Sequence, residues 1–208
     1  MIVVDIETSG VNSAEHGLWQ IGAVDLDSME EFVDESRIDD EDKVDEGALR
    51  ITGKTEDELR DKNKQTQKEL ISKFLVWRKG SGNQDLICHN PQFDHSFIKD
   101  KSIKYFREDP FFVAKTHRAF DLHTIAQIKF FELNGRFLTK ENHSDMGLKN
   151  ILKFCGIEDA RIGHDTEGTP HNALEDAKLT AECFSRLVYG KKLFPEFSKF
   201  EIPQELRK

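Results

Sequence analysis

The chain opens on four apolar residues, Met1 to Val4, and then alternates through Asp5, Ile6 and Glu7. This predicts a strand over MIVVDIE, with Val3, Asp5 and Glu7 on one face and Ile2, Val4 and Ile6 on the other. LWQIGAVDLD predicts a second strand, and EEFVDESRI a third, shorter one. TEDEL and KQTQKELISKFLVWRKG carry helical spacing, the latter stopped by Gly80 and Gly82. DLICHN predicts a short buried strand broken by Pro91, after which FDHSFIKDKSIKYF continues as a helix. AFDLH predicts a fifth strand leading into a helix over HTIAQIKFFEL, and MGLKNILKFCGI is amphipathic. GHDTEGTP predicts a loop, and HNALEDAKLTAECFSRLVYG a well-patterned helix ended by Gly190. The remaining segment, KKLFPEFSKFEIPQELRK, predicts a loosely docked tail. The expected organisation is thus one domain over residues 1–190 and a short C-terminal tail over 191–208. Three leading strands followed by strand–helix alternation predict an α/β fold, a mixed five-stranded sheet with helices on both faces.

Composition narrows this only a little. A chain of 208 residues can bury roughly 70% of its unfolded surface, so it needs no disulfide or metal staple to fold. No apolar run is long enough to span a bilayer, and no basic and apolar leader precedes Asp5. Cys88, Cys155 and Cys183 are odd in number and far apart, which argues for a reducing, cytoplasmic setting and against a disulfide framework or zinc knuckle. The net charge of -9 is concentrated: residues 25–46 hold 12 acids and 2 bases, leaving +1 for the rest of the chain. That run predicts an edge strand and a solvated loop that aids solubility. Lys99, Lys101, Lys104, Arg107, Lys115 and Arg118 form a modest basic cluster, fit for phosphates or for a solvated face.

Two carboxylates inside a buried strand need an offset, because an uncompensated buried charge costs several kcal/mol. Asp5 and Glu7 would stand about 6.6 Å apart along one side of the sheet, close enough to share a cation. Alone, the pair is also what a wetted strand end looks like. Asp94 lies just past the DLICHN strand; an Asp there is often a helix cap, but Phe93 before it sits at a strand's carboxyl end, where ligands collect in open α/β sheets. On a helical wheel for the segment after Asn172, Leu174, Ala177, Ala181, Phe184 and Val188 form the core stripe. Glu175 and Glu182 fall opposite, toward water, whereas Asp176 flanks the stripe and faces inward. His171, near the helix start, is a candidate general base beside that acid. Four converging acids without matching Lys or Arg in the same motifs would repel one another. Hard divalent cations relieve this, and Mg²⁺ or Mn²⁺ fits best. Two such ions about 4 Å apart would clamp the oxygens of a phosphodiester.

DIETSG, HNPQFD and HNALED, in this order, resemble the three motifs of the DnaQ-like, or DEDDh, 3′→5′ exonucleases. QIGAV, ITGKTEDEL, FDLHTIAQ and MGLKNIL resemble the family's supporting segments, so the likeness runs over residues 1–190. Residues 25–46 and 134–145 show no family pattern, and Gln20 stands where the family often has Glu, a change expected to be harmless. The resemblance implies an RNase H-like fold, with the first three strands antiparallel and the later ones parallel to the first. It implies that Asp5, Glu7 and Asp176 hold the first metal, that Asp5 bridges to the second, and that Asp94 completes the acidic set. It further implies His171 as base, Ile6 and Thr8 at the terminal nucleotide, and Phe93 against its base or sugar. The expected substrate is the 3′ end of a single strand, DNA in the first instance. An exoribonuclease, and a catalytically silent nucleic-acid-binding module on the same fold, are the alternatives. The short tail does not imply a polymerase partner, and homodimers occur in parts of the family.

Overall fold

Alternation in the first strand sorts its side chains into two cores. In the computed structural model, which describes residues 1–116, 118–163 and 167–208, the opening strand is β1 (Ile2–Thr8). It is followed by β2 (Leu18–Asp25), β3 (Glu31–Glu35), α1 (Glu46–Thr52), α2 (Glu56–Leu59), α3 (Gln67–Gly80) and β4 (Leu86–Cys88). Then come α4 (Pro91–Phe106), α5 (Pro110–Val113), β5 (Ala119–Asp121), α6 (Leu122–Asn134), the short pair β6 (Thr139–Lys140) and β7 (His143–Ser144), α7 (Leu148–Phe154) and α8 (Ala173–Tyr189). Ile2, Val4 and Ile6 pack with Leu70, Phe74 and Phe97 of α3 and α4, while Val3 packs with Ala177, Ala181 and Phe184 of α8 and with α6 and α7.

The described strands of the main sheet are ordered β3-β2-β1-β4-β5. β1, β2 and β3 pair antiparallel, and β4 and β5 run parallel to β1, as the motif resemblance implies. The helix starts follow local chemistry. Thr66 with Glu69, and Thr55 with Glu58, form capping boxes, so the predicted helices begin at Gln67 and Glu56 rather than at the preceding polar residues. Asp121 caps α6 by accepting from Thr124 N–H, which ends the fifth strand two residues before the predicted boundary. Three described elements have no counterpart in the sequence reading: α1, α5 and the β6–β7 hairpin. The four-residue α5 and the two-residue strands of the hairpin are too short for their periodicity to register. The loop predicted over 163–170 includes residues 164–166, which lie outside the described residues.

Three expectations are corrected. Glu182, read as facing water, is fully buried, and so is its partner Arg186 at 2.7 Å. The segment after Gly190 covers them: Leu193 and Phe194 N–H donate to Glu182, and Arg186 donates to the carbonyls of Cys155, Phe197 and Phe200. Phe194, Ile202 and Leu206 join the core, so the tail is firmly packed rather than loosely docked. The acidic run and the basic cluster also meet: Asp42 and Lys101 form a buried ion pair at 2.9 Å, and Lys104 pairs with Asp39 and Glu41. Part of the acidity is therefore structural: Lys101 is buried against Asp42, whereas Lys104 pairs with Asp39 and Glu41 while still exposed.

Candidate active site

The site is assembled where the first turns of α8 and α4 approach the carboxyl end of β1. Asp5 pairs across the sheet with Gly22 of β2, and a Cβ on Gly22 would lie 2.1 Å from the backbone nitrogen of Leu174. Only a glycine there lets the first turn of α8 rest on the sheet. Gln20, opposite Glu7, fastens that turn: its Oε1 accepts from Ala173 N–H at 2.7 Å, and its Nε2 donates to Glu35 at 3.1 Å. A glutamate could accept from Ala173 but could not donate to Glu35. Asn172 caps the helix through the N–H groups of Leu174 and Glu175. Asp176, in the first turn of α8, therefore points into the site. α4 starts at Pro91 beyond β4 and presents Asp94 from its own first turn.

These elements bound a cleft of about 970 Å³. Asp5, Ile6, Glu7, Thr8, Phe93, Asp94, His171 and Asp176 all line it, so the eight residues singled out from the sequence come together. Glu7, Asp94 and Asp176 are buried, and Asp5 is partly exposed. The Thr8 hydroxyl donates to Gly10 O at 2.7 Å, and Phe93 packs on Phe97 at 5.0 Å between ring centres.

Asp5, Glu7 and Asp94 hold their protons more tightly than usual. Burial, followed by the charges of Asp94, Asp176 and Glu7, pushes Asp5 well above the usual carboxylate range. Burial and then Asp176 push Glu7 up to about 8, against the opposing pull of His171 and Arg161. Burial raises Asp94 to about 7, although backbone N–H groups of Asp94 and Ile6 favour its charged form. For His171 burial pulls the other way, but its bond to Asp176 wins and the imidazole binds its proton more tightly than usual. Its Nδ1 lies 3.1 Å from Asp176 Oδ2 and its Nε2 2.9 Å from the Ile162 carbonyl. With both nitrogens against acceptors, the contacts favour a proton on each.

Arg161 is the residue that sequence reasoning missed. Its Nη1 donates to Asp176 Oδ2 at 2.8 Å, and Asp159 holds the rest of the guanidinium. An arginine in a loop ten positions before His171 carries no periodic signal, and only the tertiary fold brings it to the acids.

The site also has the features a divalent cation needs. One donor atom each from Glu7, His171 and Asp176 lies within 4.8 Å of the others. Glu7 Oε1 and Asp176 Oδ1 are buried without a hydrogen-bond partner among the described residues, which leaves two carboxylate oxygens available to a cation. An oxygen-rich donor set of this kind suits a hard cation.

A model of the RNase_T exonuclease family matches residues 2–184. The chain belongs to that exonuclease family. The DnaQ-like relationship read from the three motifs thus holds over nearly the whole chain. The chain is 27% identical over 211 residues to a DNA polymerase III subunit epsilon of Buchnera aphidicola subsp. Baizongia pistaciae, covering 95% of this chain and 74% of that protein. It is 26% identical over 189 residues to a PolC-type DNA polymerase III of Caldanaerobacter subterraneus subsp. tengcongensis, covering 90% of this chain but only 11% of that much longer protein. E. coli exonuclease I in complex with a dT13 oligonucleotide superposes with a TM-score of 0.64 at 19% identity, over 88% of this chain and 40% of that one. This exonuclease-family chain therefore has the RNase H-like fold. Among its described residues, no helix is long and apolar enough to cross a membrane.

Proposed function

We propose that the chain is a metal-dependent 3′→5′ exonuclease that removes nucleotides from single-stranded nucleic acid, DNA in the first instance. The observation that carries this reading is the pair of unpartnered oxygens, Glu7 Oε1 and Asp176 Oδ1, within a four-carboxylate cleft of an exonuclease-family chain. Asp5, Glu7, Asp94 and Asp176 would hold two divalent cations, Mg²⁺ or Mn²⁺. When bound, such ions lower the pKa of water and stabilise charge on the leaving oxygen. His171 would act as general base through Nε2 once the ring leaves the Ile162 carbonyl and gives up its Nε2 proton to solvent, with Nδ1–H kept on Asp176. Ile6 and Thr8 border the terminal nucleotide along the backbone of β1, and Phe93 offers a ring face to its base or sugar. The catalytic unit is residues 1–190, with 191–208 bracing α8. The epsilon relative is named as a polymerase subunit, and the oligonucleotide in the exonuclease I complex is single-stranded dT13. Both names favour DNA, and the first makes a polymerase a partner to test alongside self-association.

The test uses 5′-labelled single strands of DNA and RNA incubated with Mg²⁺, Mn²⁺ or EDTA. Progressive shortening from the unlabelled 3′ end, dependent on the cation, is the expected result. RNA shortening alone would reassign the sugar. Binding of both strands without cleavage would leave only a silent nucleic-acid-binding module.

A further inference from the structure

We propose that Arg161 is the phosphate-contacting residue of this site, parked on Asp176 until a cation claims that carboxylate. The inference rests on the exonuclease reading and deepens it by naming the group that meets the strand's negative charge. The backbone carrying Arg161 is firmly tied. Ile162 N–H donates to Thr169 O at 2.9 Å, and Thr169 N–H donates to Ala160 O at 2.8 Å. A Cβ on Gly168 would stand 2.5 Å from the Ala160 carbonyl, so two stretches of chain meet backbone to backbone. On that support Asp159 grips the guanidinium as a fork, with Oδ1 accepting from Nε at 2.9 Å and Oδ2 from Nη2 at 3.1 Å. The fork leaves Nη1 free to reach Asp176 Oδ2.

Three features separate this arrangement from a merely structural ion pair. Asp176 offers Arg161 only Oδ2, which also meets His171 Nδ1 at 3.1 Å, and keeps Oδ1 without a partner among the described residues. The bidentate grip is spent instead on Asp159. Moreover, Arg161 and Lys149 are the only arginine or lysine among the described residues lining the cleft, whose substrate would carry a negative charge at every link. Lys149 is exposed on α7, whereas Arg161 lies against the acids themselves. A guanidinium remains charged throughout the working pH range and matches phosphate oxygens in shape. A cation held through Asp176 Oδ1 would draw on the same carboxylate that Arg161 holds through Oδ2, weakening that grip and freeing the guanidinium for phosphate.

The test compares wild type with Arg161→Ala, Arg161→Lys and Asp159→Asn. Calorimetric titration with Mn²⁺, without nucleic acid, should show affinity rising about fivefold or more in Arg161→Ala, because a like charge has been removed. At saturating Mn²⁺, KM for a single-stranded oligonucleotide should rise about tenfold with a much smaller change in kcat, and Arg161→Lys should recover part of the loss. Mn²⁺ affinity that stays the same or weakens, or a KM that does not move, overturns the proposal. If Arg161→Ala fails to fold, Asp159→Asn keeps the charge but releases the fork, and an unchanged KM in that variant is equally fatal. A wild-type protein that cleaves neither DNA nor RNA sinks the exonuclease reading instead, and the Mn²⁺ titration then decides by itself whether Arg161 competes with the cation.

Discussion

Asp5 carries the site's central tension: it belongs to a core strand, yet three other acids lie around it. Asp5→Ala should abolish hydrolysis while leaving the metal-free protein as stable as wild type or more so, since it removes repulsion that only a cation would offset. Urea denaturation in EDTA beside an activity assay checks both halves, and an active variant ends the proposal. His171→Ala should cut turnover by roughly 10²-fold or more while Mn²⁺ still binds. Because one of its ring nitrogens lies within 4.8 Å of donor atoms of Glu7 and Asp176, a collapse of Mn²⁺ affinity would instead make His171 a ligand. At this scale the acids and His171 were legible because their motifs are local. Arg161 was not, since its place beside Asp176 depends on contacts between residues 160–162 and 169 that no spacing rule encodes.

Elements set the site's precision, and Gly22 is the clearest case. Gly22→Ala would drive a methyl group into the backbone of Ala173 and Leu174, at a cost of about 1–3 kcal/mol if the helix shifts to make room. The shift would move Asp176 away from Glu7, so activity should fall further than the small drop in Tm implies; full activity with unchanged Tm would contradict this account of how α8 is placed. The core stripe of α8 was readable from its periodicity. The opposite face was not: Glu182 lies where a solvated residue belongs on the wheel, and it is buried because Leu193 and Phe194, beyond the end of the helix, bring unpaired N–H groups to it. A helical wheel sees one helix and not the segment that later packs across it. The same holds for Asp42 and Lys101, which lie far apart in sequence, one in a run read as a solvated loop and the other in a cluster read as fit for phosphates or a solvated face.

For the molecule as a whole, the acid cluster makes metal-free stability depend on pH in a defined direction. Glu7 and Asp94 bind protons more tightly folded than unfolded, at about 8 and about 7 against ordinary values of 4.5 and 3.8. Their contribution is therefore complete at acidic pH and is lost as pH rises through those folded values. Asp25, Asp34, Asp39 and Asp159 are shifted the opposite way and act only at lower pH, where they begin to protonate. In EDTA, Tm should fall between about pH 5 and pH 8. Mn²⁺ should raise it most at the alkaline end; a flat profile would mean that the acids are not held together as described. The five strands were legible because each has its own apolar signature, and their directions followed from the motif resemblance, but the strand order and the pairing of acidic and basic surfaces were properties of the folded chain alone. The most direct test of the whole account is a crystal of the protein soaked in Mn²⁺ and measured for anomalous scattering. The account predicts two peaks about 4 Å apart among Asp5, Glu7, Asp94 and Asp176. Clean density for those side chains with no anomalous peak between them would contradict it.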